Sequence, residues 1–172
     1  MRRPLILAGI LFALWPLLGT PGLAQSERHL GTFESWEAFV RPQDGSSICY
    51  MASIPASQEG SYAKRGDAYV MVLHRPAAKK VGIVSVTAGY NFKEGSPVEV
   101  AIGGAKFPLY THKDTPDTAW AYDDKAVLDA MIKGATMVVR GISARGTPTT
   151  DTYSLKGVSR AYKEISKTCN VP

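Results

Sequence analysis

The side chains able to do chemistry in this chain are few and widely spaced. Its two cysteines are Cys49 and Cys169, and its three histidines are His29, His74 and His112. None of the histidines stands in His-x-x-x-His or His-Glu-x-x-His spacing, which would set two imidazoles on one helix face around a zinc ion. No Cys-x-x-Cys pair offers a redox motif or half of a zinc site. There is no Gly-x-Ser-x-Gly elbow to expose a serine nucleophile, and no Ser-x-x-Lys with the rest of a β-lactamase set. Gly103-Gly104 reads as a hairpin turn, because no Lys-Ser/Thr follows it before a helix as a phosphate loop requires. Lys106, Asp114, Asp117, Asp123 and Asp124 gather charge along one stretch. Glycoside hydrolysis needs two carboxylates at a defined separation, which a sequence does not supply. Asp123-Asp124 reads first as a helix cap and a complement to the helix dipole. No catalytic residue, metal site or cofactor is therefore assigned.

The histidines have plain readings. His29 lies in a polar leader, His74 ends a strand beside Arg75-Pro76, and His112 follows Tyr110-Thr111 in a loop. All three are expected at the surface. Trp36 and Trp120 are expected in the core. Tyr50, Tyr62, Tyr69 and Tyr90 would offer stacking surface to a sugar or a partner only where exposed.

One pattern points to binding. Lys156, Arg160, Lys163 and Lys167 recur at spacings of four, three and four. At about 100° per residue they fall on one helix face. The simpler reading is a solvated face opposite a buried one. The sharper reading is a docking strip for an anionic surface such as lipopolysaccharide, phospholipid headgroups or an acidic protein. Lys133, Arg140 and Arg145 would extend it if the fold brought them near.

The elements that must position these residues are mostly strands. Gly31–Val40 carries Phe33, Trp36 and Phe39 and reads as a first extended segment. Ile48–Ile54, Ala68–His74 and Val81–Ala88 follow, ended in turn by Pro55 and Pro76 and separated by a polar loop over Gln58–Gly66. Val98–Ile102 and Lys106–Thr111 flank Gly103-Gly104 as a hairpin. Thr118–Tyr122, Met137–Ile142 and Thr149–Tyr153 complete the set, with Arg145-Gly146 as a turn. About eight short strands at this spacing predict a mainly β fold, an antiparallel sandwich or barrel-like domain. Two short helices interrupt it. One runs from about Lys125 to Lys133 behind Asp123 or Asp124 and stops at Gly134. The other, near the C-terminus, runs from Leu155 to about Thr168 with Ser154 as its cap. Its buried stripe is Leu155, Val158, Tyr162, Ile165 and Cys169.

Composition sets the outer limits. The chain has 172 residues, 45% apolar and 20% charged, which suits one folded domain and not a disordered polar segment. Met1-Arg2-Arg3, the apolar run Leu5–Leu18 and the small-residue exit Gly22-Leu23-Ala24 have the layout of a secretory signal. The run is about 14 residues, short of the roughly 20 that span a bilayer. Cleavage is expected between Ala24 and Gln25, giving residues 1–24 as signal peptide and 25–172 as a single domain. Removing Arg2 and Arg3 lowers the net charge of +5 by two. The remainder is only mildly basic and does not call for nucleic acid. No later stretch is long and apolar enough for a membrane span.

Export places the cysteines in an oxidising compartment, where two so far apart form one bridge. Pairing Cys49 with Cys169 would close a loop of about 120 residues and stabilise the fold by about 4–5 kcal/mol in the chain-entropy model. A reactive thiol pair is the alternative, but neither cysteine has a histidine or base beside it.

Four features, as they stand here, resemble the invasion-associated locus B family of exported bacterial proteins. They are Trp36-Glu37-Ala38-Phe39; Cys49-Tyr50-Met51-Ala52-Ser53-Ile54-Pro55; Lys133 to Val139 with Arg145-Gly146; and Thr152-Tyr153-Ser154-Leu155-Lys156-Gly157 leading to Cys169. The resemblance spans about Gly31 to Cys169, and the last segment is its most specific part. It implies an exported, periplasmic, secreted or outer-membrane-associated protein of an alphaproteobacterium-like lineage. The family name implies an association with host-cell invasion and virulence. No catalytic residue comes with it. The expected function is a non-enzymatic binding or envelope-interaction module with an anionic envelope component or a protein as partner. The rival is a small cell-wall-directed hydrolase or glycan-binding domain. That rival would need convergent carboxylates, or His74 and His112 in one concave site.

Overall fold

A computed structural model describes residues 26–43, 45–62 and 64–172. The expected signal segment and its cleavage point lie outside the described residues. The chain forms eleven strands: β1 (Arg28–Phe33), β2 (Trp36–Gln43), β3 (Ser46–Ser53), β4 (Ser57–Glu59), β5 (Tyr69–Arg75), β6 (Lys80–Thr87), β7 (Val98–Ile102), β8 (Ala105–His112), β9 (Thr115–Ala121), β10 (Thr136–Ile142) and β11 (Pro148–Ser154). Two helices accompany them, α1 (Asp124–Lys133) and α2 (Val158–Cys169). All strands belong to one antiparallel sheet in the order β1-β2-β3-β5-β6-β9-β8-β7-β10-β11-β4. The mainly β architecture with two helices is the one expected.

The sheet is rolled but not closed. β2 and β11 stand eight positions apart in the sheet order. In a flat sheet that would be about 40 Å. Yet the Trp36 indole Nε1 donates to the Ser154 carbonyl at 3.1 Å, and the Ser35 N–H donates to the Lys156 carbonyl at 3.3 Å. The two ends of the sheet therefore curl over one core, as right-handed strand twist favours. Among the described residues no ladder joins the outer strands β1 and β4, so the roll stays open.

Alternation within the strands fills that core. Val70, Val72 and His74 of β5, Val98, Val100 and Ile102 of β7, and Thr149, Asp151 and Tyr153 of β11 all point inward. Trp36, Met51, Val84, Val86, Met131, Met137 and Ile165 pack with them. On the outer side, Phe39, Tyr50, Leu73 and Ile83 pair in one row across β2, β3, β5 and β6 and shield one another.

The β7–β8 hairpin turns on Gly103 and Gly104, with φ of 56° and 87°, between the paired Ile102 and Ala105. A type I′ turn needs left-handed φ at both central positions, which Gly-Gly accepts without strain. α1 is capped by Asp123, whose carboxylate accepts from the Ala126 N–H at 3.0 Å. Asp124 does something the cap reading omitted. Its carboxylate accepts the Val84 N–H at 2.8 Å and ties the helix to β6.

Three local expectations need correction. The segment Gly31–Val40 is not one strand but the β1–β2 hairpin, turning at Glu34-Ser35 with Glu34 at φ 56°. The stretch from Gln58 is not all loop, because Ser57–Glu59 pairs with β11 along its backbone while all three side chains are exposed. Ser154 does not cap α2. It ends β11, and Gly157, left-handed at φ 93°, precedes the helix. A Cβ on Gly157 would sit 1.8 Å from the Phe33 carbonyl oxygen. That contact explains why the Ser-Leu-x-Gly segment must end in glycine. Cys49 of β3 and Cys169 at the end of α2 form a disulfide with Cα atoms 5.9 Å apart.

Candidate functional site

The terminal helix carries the strip singled out in the sequence. α2 lies across β1, β2, β3 and β5 and buries Val158, Ala161, Ile165, Ser166 and Cys169 against them. Its opposite side exposes Arg160, Lys163 and Lys167, while Lys156 lies exposed in the turn ahead of the helix. Arg160 is ion-paired with Glu34 in the β1–β2 turn. Lys156, Lys163 and Lys167 have no ion pair among the described residues. The strip therefore presents three free ammonium groups and one guanidinium already in part neutralised. Arg140 is engaged on β10 by Glu99 at 3.9 Å.

Beneath α2 lies His74, expected at the surface and in fact fully buried. Its position at a strand end hid this, because the side chain points inward under a helix some 90 residues away in sequence. Nδ1 accepts the Gly82 N–H at 3.0 Å. The proton of the neutral ring therefore sits on Nε2, which donates to Ser166 Oγ at 3.1 Å. The Tyr162 ring meets the imidazole edge-on at 5.2 Å.

Burial pushes the pKa of His74 down to about 4. An unfolded chain takes up this proton near pH 6.5, whereas the folded chain resists it until about pH 4. The stability contributed by neutral His74 is thus complete above pH 6.5 and is lost as pH falls from 6.5 to 4. The expected loss is about 3 kcal/mol. Urea unfolding at pH 7.5 and pH 4 should show it in the native protein and not in His74→Gln. An equal pH response in the two proteins would refute this role.

The histidines do not converge. His112 is exposed on the β8–β9 turn, where Nδ1 accepts the Asp114 N–H at 3.2 Å. His29 is exposed on β1 and lies tilted against Phe39, with centroids 5.1 Å apart. The carboxylates are likewise dispersed. Asp123 and Asp124 serve α1, Asp117 accepts from the Thr118 hydroxyl at 3.1 Å, and Lys106 turns instead to Glu99 at 3.2 Å. Among the described residues no group of three or more His, Cys, Asp or Glu is placed to hold a metal ion. The site joining His74 to His112 is not formed.

A second feature escaped sequence reading altogether. The chain before β5 sends Arg65 inward, where Nε donates to the Ala88 carbonyl and Nη1 to Asp151 Oδ1, both at 2.7 Å. Nη2 reaches Oδ2 of the same carboxylate. The guanidinium lies between the rings of Tyr62 and Tyr90, 5.3 and 5.1 Å from their centroids. Both members of the ion pair are buried. Tyr90 exchanges a hydrogen bond with Thr149. This lock closes the floor of a cleft of about 500 Å³ whose rim carries Lys64 and Arg145. No residue of the α2 strip lines it, so Arg145 belongs here and not to that strip. The only sequence signal was the crowding of Tyr62, Lys64 and Arg65 in an otherwise polar loop.

Trp36 is fully buried, as expected, while Trp120 is half-buried on the outer face. No helix among the described residues is long and apolar enough to cross a membrane.

A family model described as invasion associated locus B (IalB) protein matches residues 36–166. The crystal structure of invasion associated protein B from Bartonella henselae is similar in fold, with a TM-score of 0.56 at 18% identity. The match covers 80% of this chain and 95% of that one. No curated protein sequence matches significantly.

Proposed function

Because the chain belongs to the invasion associated locus B family, we propose that it is an exported, non-enzymatic binding module of the cell envelope. It works in the periplasm, or secreted and held at the outer membrane, and uses the α2 strip to engage an anionic surface. The observation that carries this reading is the exposure, without acidic partners, of Lys163 and Lys167 on a helix anchored at its far end by a disulfide, and of Lys156 in the turn that leads into it. The disulfide supports export, since such bridges persist in oxidising compartments. A rigid cationic face gathers phosphate and carboxylate groups without needing a pocket.

Each basic side chain near an anionic membrane surface contributes about 1 kcal/mol. The triple variant Lys156→Gln, Lys163→Gln, Lys167→Gln should therefore bind vesicles rich in phosphatidylglycerol about a hundredfold more weakly. Co-sedimentation at low salt measures this. Unchanged binding of the variant would reduce the strip to a solvated helix face. Arg160 is left in place because it also holds the β1–β2 turn through Glu34.

A further inference from the structure

We propose that the cleft at Lys64 and Arg145, together with the groove beside it, binds an acidic polysaccharide. The groove, of about 1100 Å³, runs between the Asn91–Val98 loop and strand β8. It shares the lining residues Asn91 and Ala144 with the cleft, so the two cavities adjoin across a common wall as a two-part trough. The saddle between them is fixed by backbone. The Ala144 N–H donates to the Asn91 carbonyl at 2.7 Å, and the Lys93 N–H donates to the Ile142 carbonyl at 2.8 Å. A pre-formed trough of this kind spends little ordering free energy when a ligand enters.

Its lining has two characters. Lys64, Arg145, Lys93 and Lys113 are exposed and have no ion pair among the described residues. Glu94 is the one carboxylate among the described residues that line either cavity. The trough is therefore cationic, and it selects an anion. It also carries an aromatic platform. Tyr110 and Tyr122 are 40% and 71% exposed, with ring centroids 4.9 Å apart. Two adjacent exposed aromatics at the wall of a groove offer a partner apolar surface with a hydroxyl at each edge. The C–H face of a pyranose ring suits such a platform, while its hydroxyls match the uncharged polar groups Ser61, Asn91, Thr111 and Thr147.

The groove alone, at about 1100 Å³, has more room than a single small anion fills and fits a chain of sugars. A single-stranded nucleic acid is the nearest competitor, since it also pairs cations with aromatic stacking. The exposed pair Tyr110 and Tyr122 is compact, with ring centroids 4.9 Å apart and planes at 50°, and is not strung out along the trough as nucleotide tracking would use it. The arrangement therefore favours the glycan. None of these residues belongs to the α2 strip, and the inference stands or falls independently of it.

Calorimetric titration of the oxidised protein with a hexamer of galacturonic acid, with maltohexaose and with hexathymidylate provides the test. The acidic hexasaccharide should bind at least about tenfold more tightly than the other two. Tyr110→Ala with Tyr122→Ala should weaken it about tenfold, and Lys64→Ala with Arg145→Ala should do the same. The α2 triple variant should bind it as the native protein does. Absence of saturable binding at millimolar hexagalacturonate, or indifference to both double variants, would overturn the proposal. Equal or tighter binding of hexathymidylate would overturn it in favour of nucleic acid.

Discussion

Replacing Cys49 and Cys169 together by alanine should lower the stability of the folded domain by about 4–5 kcal/mol. The disulfide joins residues 120 apart, one in β3 and the other at the last turn of α2. It thereby closes every element from β3 to α2 into one loop, leaving β1 and β2 outside it. Its principal effect is on the unfolded ensemble, whose freedom it restricts in proportion to the logarithm of loop length. A second effect is local. α2 has no side-chain cap at its start and ends on Asn170 in the left-handed region, so its seat on the sheet depends on packing and on this bond. In a domain of this size the expected loss corresponds to a melting temperature about 10–20 °C lower. Thermal melts of the native protein in reductant should fall to the value of the double variant, while the variant itself should ignore reductant. A change of less than about 1 kcal/mol would mean that the unfolded chain is already compact around this pair.

The second large effect is expected at the Arg65–Asp151 lock. Each partner is nearly sealed from water, with side-chain exposures of 4% and 3%. Removing one leaves the other as an uncompensated buried charge, which costs about 3–5 kcal/mol. Arg65→Met would strand the Asp151 carboxylate inside β11, and Asp151→Asn would strand the guanidinium between two tyrosines. The double variant Arg65→Met, Asp151→Leu removes both charges and should recover most of the loss, since an apolar pair of similar volume carries no desolvation penalty. Urea unfolding of the three variants forms the cycle. Single variants within about 1 kcal/mol of native would show that water reaches the pair. The same lock explains how the sheet keeps its roll. Ala88, just beyond β6, and Asp151 of β11 lie on strands five places apart in the sheet order, and one guanidinium holds both.

What the residues revealed in advance was local. Gly103-Gly104 marked its hairpin because two left-handed positions in succession demand glycine. Asp123 marked the start of α1, and Gly134 its end. Val158, Ile165 and Cys169 marked the buried stripe of α2, and the distant cysteines marked each other once export was inferred. What stayed hidden depended on distant partners. His74 looks like any strand terminus until Ser166 is placed over it. Arg65 looks like one more loop cation until Asp151 arrives from β11. β4 carries no burial pattern, because its side chains face solvent and only its backbone pairs. The Glu34-Ser35 turn lacks the glycine, proline or asparagine that usually announces a hairpin. Helical spacing placed Arg160, Lys163 and Lys167 on one exposed face of α2, but only the fold showed that Lys156 lies ahead of the helix and that Glu34 engages Arg160. The trough draws on at least five separated stretches, around Tyr62, Asn91, Tyr110, Tyr122 and Arg145, and had no linear signature.

Partitioning of the oxidised protein onto isolated envelope vesicles, followed from low to physiological salt, tests the anionic-surface reading most directly. Counterion release and screening make a contact through three lysines steeply salt-dependent. The native protein is expected to bind tightly at low salt and to detach as salt rises. The Lys156→Gln, Lys163→Gln, Lys167→Gln variant should bind weakly throughout. Native binding that is indifferent to salt, or a variant that follows the native curve, would contradict a cationic docking helix.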